Sequence, residues 1–204
     1  MTQVPKVFIV DDDEAVRRYL GRLLDTVGLA HEGFASAEDF LDGVDTSSPG
    51  CLLLDVRMPG MGGRVLQDRL TERGVEIPIL FMTGHGEISM AVEAMHKGAI
   101  DFLQKPFDDQ SLIDRVQVAL ERDAQNRSQA KKREDGQRQL AKLTERETQI
   151  VDLVLQGLSN KQIAFKLSVS PQAIDARRSN AMKKLGVDSI AQLITVVLRY
   201  RSQG

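Results

Sequence analysis

The sequence predicts two folding units in 204 residues: a parallel α/β sheet covered by helices, followed by a small all-helical domain. Three observations lead there. Continuous apolar runs alternate with amphipathic stretches in the first half. No such runs occur in the second half. The net charge changes sign between the two.

The apolar runs come first. Residues 7–10, 51–54, 77–82 and 99–103 are each apolar almost throughout, and a weaker strand falls near 30–34. Strands buried on both faces read this way, because helices cover both sides of a parallel sheet. Helical spacing fills the gaps at about 14–27, 37–44, 63–72, 87–97 and 109–122. The first domain is therefore expected over residues 1–123. Residues 121–142 are charged and nearly free of large apolar side chains, with nothing to anchor a core. They read as a linker over 124–142, a helical extension interrupted around Gly136, before a second domain over 143–204.

Hydrophobic residues make up 42% of the chain and charged ones 27%, ordinary values for a globular protein. No apolar run approaches the about 18 residues of a membrane span, and the N-terminus has no secretory pattern. Cys51 is the only cysteine, which excludes an internal disulfide and a cysteine zinc site. A soluble cytoplasmic protein with no membrane partner is the expectation. Residues 1–123 hold 12 Lys/Arg against 22 Asp/Glu, a net of −10, and residues 124–204 hold 15 against 7, a net of +8. An acidic front half suits a cation, and a basic back half suits phosphate backbones.

In an open parallel sheet, functional side chains gather at the carboxyl ends of the strands. Here those ends carry Asp11-Asp12-Asp13, Asp55, Thr83-Gly84 and Lys105-Pro106. Converging carboxylates resist joint ionisation without a cation. Magnesium suits the cluster, being hard, oxygen-loving and content with a few carboxylates plus a phosphate. Thr83 can donate to a phosphoryl oxygen and Lys105 can neutralise it, which is most of what phosphoryl transfer needs. Asp55, nearest both, is the candidate acceptor. Turning Lys105 sharply out of its strand suits a cis bond to Pro106. His31, His85 and His96 are scattered, with His85 a loop residue. Cys51 reads as a small apolar strand residue.

Residues 4–122 resemble a response-regulator receiver domain. The resemblance rests on Val10-Asp11-Asp12-Asp13, Leu54-Asp55-Val56-Arg57-Met58-Pro59-Gly60, Met82-Thr83-Gly84-His85-Gly86 and Asp101-Phe102-Leu103-Gln104-Lys105-Pro106-Phe107. The Thr-Gly-His-Gly segment is similar to the FixJ-like group. The resemblance implies a flavodoxin-like five-stranded parallel sheet of order 2-1-3-4-5. It also implies phosphorylation of Asp55 by a partner sensor histidine kinase. Asp12, Asp55 and the Arg57 backbone carbonyl would bind Mg²⁺ (or Mn²⁺), with Asp11 acting through water. Phe102 would be the ring that follows Thr83 when the phosphate draws Thr83 and Lys105 inward. A phosphorylation-dependent homodimer, through the helix expected over 87–97 and the last strand, is implied as well.

In the second half, Thr144 with Glu147 and Ser159 with Gln162 have capping-box spacing. Ser170-Pro171 starts a third helix with proline at its first position, and Gly186 closes it. Ser189 opens a last helix carrying Ile190, Leu193, Ile194, Val197 and Leu198. The middle pair forms a helix-turn-helix pattern in an all-α four-helix domain. The second of that pair buries Ile174, Ala181 and Leu185. It presents Gln172, Asp175, Ala176 and Ser179 as candidate readers of base edges, while Lys161, Arg177, Arg178 and Lys183 are candidate phosphate contacts, with Lys184 towards the side.

Residues 143–198 resemble a LuxR-type helix-turn-helix domain through Leu143-Thr144-Glu145-Arg146-Glu147, Gly157-Leu158-Ser159-Asn160-Lys161-Gln162-Ile163-Ala164 and Met182-Lys183-Lys184-Leu185-Gly186-Val187. The family's usual Thr-Val-Lys-x-His-Arg run stands here as Ala173-Ile174-Asp175-Ala176-Arg177-Arg178. That leaves the fold intact and puts the target sequence in doubt. The implied function is a transcription factor binding double-stranded promoter DNA, with RNA polymerase a further candidate partner. The alternatives are a phosphorelay adaptor whose helical domain binds protein, and a metal-dependent phosphatase. No turnover beyond slow autodephosphorylation is expected.

Overall fold

The computed structural model describes residues 4–45, 47–84, 95 and 97–201. It divides into two compact units, Met1–Arg127 and Ser128–Gly204. The first unit is a five-stranded parallel sheet of β1 (Lys6–Val10), β2 (His31–Phe34), β3 (Gly50–Asp55), β4 (Ile79–Thr83) and β5 (Asp101–Gln104), in the order β2-β1-β3-β4-β5. Helices α1 (Glu14–Thr26), α2 (Ala37–Gly43), α3 (Gly63–Glu72) and α4 (Asp109–Leu140) accompany it. The expected helix over 87–97, apart from Met95 and Lys97, lies outside the described residues, as do His85 and His96.

Alternation along the strands divides the core into two layers. Phe8, Val10, Leu52, Leu54 and Phe81 face Phe40, Leu66 and Leu70. Val7, Ile9, Cys51, Leu53, Leu80 and Met82 face Leu20, Leu24, Leu112 and Val116. Fully burying such a side chain stabilises by about 1.5–3 kcal/mol, so the central strands are fixed from both sides. All of β3 is buried, and that strand carries Asp55 to the sheet edge. β4 begins at Ile79 rather than residue 77, with the Pro78 carbonyl accepting from the Leu52 N–H at 2.9 Å.

Two expectations about the segment after residue 122 are corrected. Asp123 is buried, and its carboxylate accepts from the Gly50 N–H at 2.9 Å and from Arg127. Arg127 also donates to the carbonyls of Ser47 and Ser48, at 2.6 Å each. This stretch therefore anchors the start of β3. Nor does Gly136 interrupt the helix, which runs unbroken to Leu140. A Cβ at Gly136 would stand 2.5 Å from the Tyr200 ring, so the glycine makes room for an aromatic side chain against the helix.

The second unit adds α5 (Glu145–Leu155), α6 (Asn160–Leu167), α7 (Pro171–Leu185) and α8 (Ile190–Arg201). Both capping boxes form, at Thr144 with Glu147 and at Ser159 with Gln162. Ser170 caps α7 ahead of Pro171, and Gly186 ends it in a left-handed conformation at φ 67°. Ile150, Val151, Ile163, Ile174, Ala181, Leu193 and Val197 are its fully or nearly fully buried core. The expected apolar side of α8 is only partly inside, because Ile190 and Leu198 are exposed.

The clamp at the start of β3 yields a stability prediction. Asp123→Ala removes the acceptor of a buried backbone N–H and of a guanidinium, at a cost of about 2 kcal/mol. The receiver-unit transition in denaturant should move to lower concentration, while Asp135→Ala, at an exposed site of the same helix, should leave it in place.

Candidate functional site

The strand order makes β1 and β3 neighbours, with Val10 opposite Leu54. Their next side chains, Asp11 and Asp55, therefore meet at the sheet edge. Asp11 is 1% exposed and Asp55 8%. Lys105, just beyond β5, reaches both: its Nζ lies 2.8 Å from Asp11 Oδ2 and 2.6 Å from Asp55 Oδ1. The remaining carboxylate oxygens accept backbone N–H groups, Asp11 Oδ1 from Asp13 at 2.9 Å and Asp55 Oδ2 from Arg57 at 2.8 Å. Every carboxylate oxygen of the pair thus has a donor. The Lys105–Pro106 bond is cis, as the sequence suggested.

The charges respond to this burial. Burial raises the Asp55 pKa, and the Lys105 hydrogen bond and charge pull it back only in part. For Lys105 burial works downward, but the hydrogen bonds and charges of Asp11 and Asp55 outweigh it and raise the pKa. Arg17 donates to the Asp11 carbonyl at 2.5 Å and so braces the same turn. Gly63, at the start of α3, lets that helix approach closely, since a Cβ there would stand 2.3 Å from the Asp55 carbonyl.

Thr83 is buried at the end of β4, and its hydroxyl makes one long bond, 3.4 Å, to the Gly84 carbonyl. Phe102 pairs in register with Phe81 on β5 and is partly buried against the first core layer. Asp12 does not join the cluster. It is exposed, and among the described residues no hydrogen bond or ion pair holds it. Asp13 is spent as the N-cap of α1, accepting from the Ala15 N–H at 2.7 Å. Among the described residues no group of three acidic, histidine or cysteine side chains is arranged to hold a metal. The donor set nevertheless fits a hard cation: two buried carboxylates converge on one point, and the Lys105 ammonium stands there as a cation already bridging them.

In the second unit α7 exposes Gln172, Asp175, Ala176, Ser179 and Lys183, while Arg177 and Arg178 are half-buried and Lys161 is exposed on α6. Arg178 pairs with Asp175 at 3.1 Å and with Asn160 at 3.0 Å. Lys184, expected near phosphates, is bound instead to the buried Glu147 at 2.7 Å. Asn160 was missed in the sequence because it looks like one more polar residue after a cap. Glu147 was recognised only for its capping role.

The comparisons with known proteins bear on both units. Residues 7–117 match the response regulator receiver domain, and residues 141–197 match the luxR family of bacterial regulatory proteins. The chain belongs to the two-component response regulators. It is 42% identical over 195 residues to the response regulator protein TodT of Pseudomonas putida, covering 96% of this chain and 86% of that protein. It is 41% identical over 192 residues to the transcriptional regulatory protein FixJ of Azorhizobium caulinodans, covering 94% and 91%. Among solved structures, the response regulator StyR matches with a TM-score of 0.89 at 43% identity, over 96% of this chain and 99% of that one. Full-length FixJ from B. japonicum matches with a TM-score of 0.61 at 37% identity, over 98% and 99%. The chain is thus a transcriptional response regulator: a receiver joined to a LuxR-type DNA-binding domain, with a histidine kinase and DNA as the partner classes those domains imply. Among the described residues no helix is long and apolar enough to cross a membrane.

The raised Asp55 pKa makes a prediction with a definite sign. The folded state holds this proton more tightly than the unfolded chain, whose carboxyl titrates near ~3.9. The stabilisation is therefore complete below that pH and is lost as the pH rises through the folded value. Folding thus favours the neutral form of Asp55 over the ionised one. Asp55→Asn, neutral and still able to accept from Lys105, should raise the thermal midpoint of the receiver unit at pH 7, with a smaller gain at pH 4. A midpoint lowered at pH 7 would contradict this.

Proposed function

We propose that Asp55 is the sole phosphoryl acceptor of this regulator, with a partner histidine kinase as donor. The observation that carries the reading is the Lys105 ammonium, drawn between the buried Asp11 and Asp55 carboxylates, with buried Thr83 at the end of β4 on the same sheet edge. A carboxylate oxygen of Asp55 attacks the phosphorus of a phosphohistidine. The new O–P bond forms as the P–N bond breaks, and the electron pair returns to the imidazole. Lys105 turns from Asp55 to the phosphoryl oxygens, and Thr83 exchanges its long bond to Gly84 for one to the phosphoryl group. Asp11, Asp12, Asp55 and the Arg57 carbonyl would hold Mg²⁺ or Mn²⁺, which when bound neutralises charge on the phosphoryl oxygens. Slow autodephosphorylation is the only turnover proposed.

The phosphoryl group adds a charge of about −1.5 to −2 at Asp55. Drawing Thr83 inward frees space for the Phe102 ring, a two-state element the phosphate biases. That change promotes a homodimer through β5 and the segment 87–97, most of which lies outside the described residues. On DNA, Gln172, Asp175, Ala176 and Ser179 face base edges. Lys161, Arg177 and Lys183 meet phosphates. Arg178 belongs with Asp175. Transcription control in the cytoplasm, with RNA polymerase as a further partner, completes the reading. The LuxR-family match favours DNA over a protein-binding adaptor.

Incubation with acetyl phosphate and Mg²⁺, followed by peptide mapping, should label Asp55 alone. Asp55→Asn or EDTA should abolish the label. Sedimentation of the same sample should show tighter self-association than the unlabelled protein. Label on another residue, or equal association constants, would overturn the acceptor or the switch respectively.

Lys161→Ala should weaken binding to all duplexes alike and reduce the slope of log K against log salt by about one. Titrations at several salt concentrations on one specific and one unrelated duplex measure this.

A further inference from the structure

Asp175 stands on the exposed side of α7, where a carboxylate facing DNA is repelled by phosphate unless something compensates it. The compensation is built in. Asp175 Oδ1 accepts from the Asn160 side-chain amide at the start of α6 and from Arg178 Nη2 at 3.1 Å. Arg178 Nη1 donates in turn to Asn160 Oδ1 at 3.0 Å. The three side chains close a ring that ties the two helices together. Arg178 is only 22% exposed within it, whereas the Asp175 side chain is 56% exposed. The second carboxylate oxygen, Oδ2, has no partner among the described residues.

A fixed, charge-compensated side chain with one free acceptor can recognise only a donor. We infer that Asp175 is a specificity-determining residue that accepts a hydrogen bond from the exocyclic amino group of a cytosine in the major groove, with Asn160 and Arg178 as its positioning residues. The inference rests on the proposed reading of α7 as the recognition helix.

The groove chemistry selects the base. Guanine presents two acceptors, N7 and O6, and thymine presents O4 beside a methyl group, so both repel or exclude a carboxylate. Adenine offers its N6 amino group next to the N7 lone pair, which opposes the anion. Cytosine presents the N4 amino group with no adjacent acceptor. Arg178 has a different role from its neighbours. Two of its nitrogens are engaged by Asn160 and Asp175, so it fixes the acceptor rather than neutralising a phosphate.

The test uses the full chain, phosphorylated with acetyl phosphate, in a randomised-site selection at one salt concentration. Binding is then measured to the selected duplex and to its three single-base variants at each position. The wild type should prefer cytosine at one position of each half-site by about tenfold or more. Asp175→Ala should lose that preference at that position only. Asp175→Asn can keep its oxygen on Arg178 and turn its amide NH₂ to the groove, which should move the preference to guanine or thymine. Asn160→Ala and Arg178→Lys should broaden the same position. A preference unchanged in Asp175→Ala, with all sequences bound more tightly, would overturn this inference alone. Failure of the wild type to bind any duplex in a salt-dependent way would overturn the DNA reading of α7 and this inference with it.

Discussion

The receiver is organised around one ammonium group. Asp11 and Asp55 end two adjacent strands whose preceding residues are buried on both faces, so hydrophobic packing delivers both carboxylates to the same point. Two buried like charges would disfavour each other's ionisation. Lys105 resolves this, its Nζ within 2.8 Å of one and 2.6 Å of the other. It comes from beyond β5, two places along the sheet from β3, so the site exists only when the strand order β2-β1-β3-β4-β5 is complete. The Lys105 ammonium offsets part of the like-charge repulsion at this point, and the same pair of carboxylates suits a second, harder cation.

The neighbouring groups are held with very different firmness. Both carboxylates use all their oxygens, and the turn after β1 is further braced by Arg17 on the Asp11 carbonyl. The Thr83 hydroxyl, equally buried, makes among the described residues a single bond, of 3.4 Å, to its own neighbour. Moving its hydroxyl forfeits little, whereas displacing Asp11 would break several bonds together. A new anion at Asp55 would therefore be answered first by Lys105, which gains by following the charge, and by Thr83, which loses almost nothing. Phe102, partly buried on the adjacent strand, occupies the place from which a ring can respond to such a movement.

Most of this fold was legible in the sequence because its signals are local. Continuous apolar runs mark strands covered on both sides, and cap residues mark where helices start. The parts that escaped are contacts between residues far apart in sequence. Asp123 looked like one more charge in a polar stretch, yet it caps the Gly50 N–H from 73 positions away. Gly136 looked like a helix break, and its reason is the Tyr200 ring. The run Asp11-Asp12-Asp13 contains three equivalent letters, but extended geometry and the helix start give them separate fates. One is buried at the site, one is exposed, and one is a cap. On α8 the expected stripe overstated burial, since Leu193 and Val197 are enough to cover that side of a small core and leave Ile190 and Leu198 outside.

Charge counts overstate what the basic half offers to a phosphate backbone. Residues 124–204 carry an excess of eight positive charges, yet several cations are already committed. Lys184 is bound to the buried Glu147, Arg201 to Asp152, and Arg178 to Asp175. Lys161 and Lys183, by contrast, are exposed and have no acidic partner among the described residues. Committed cations cannot release condensed counterions from DNA without first breaking protein contacts, so the salt dependence of binding should reflect the second group rather than the total. The committed ones have another effect. They tie helices α5, α6 and α7 together, and on the proposed reading of α7 as the recognition helix that register would set which of its side chains meet which base edges. On that reading, affinity and selectivity in this domain would draw on largely separate sets of the same residue types.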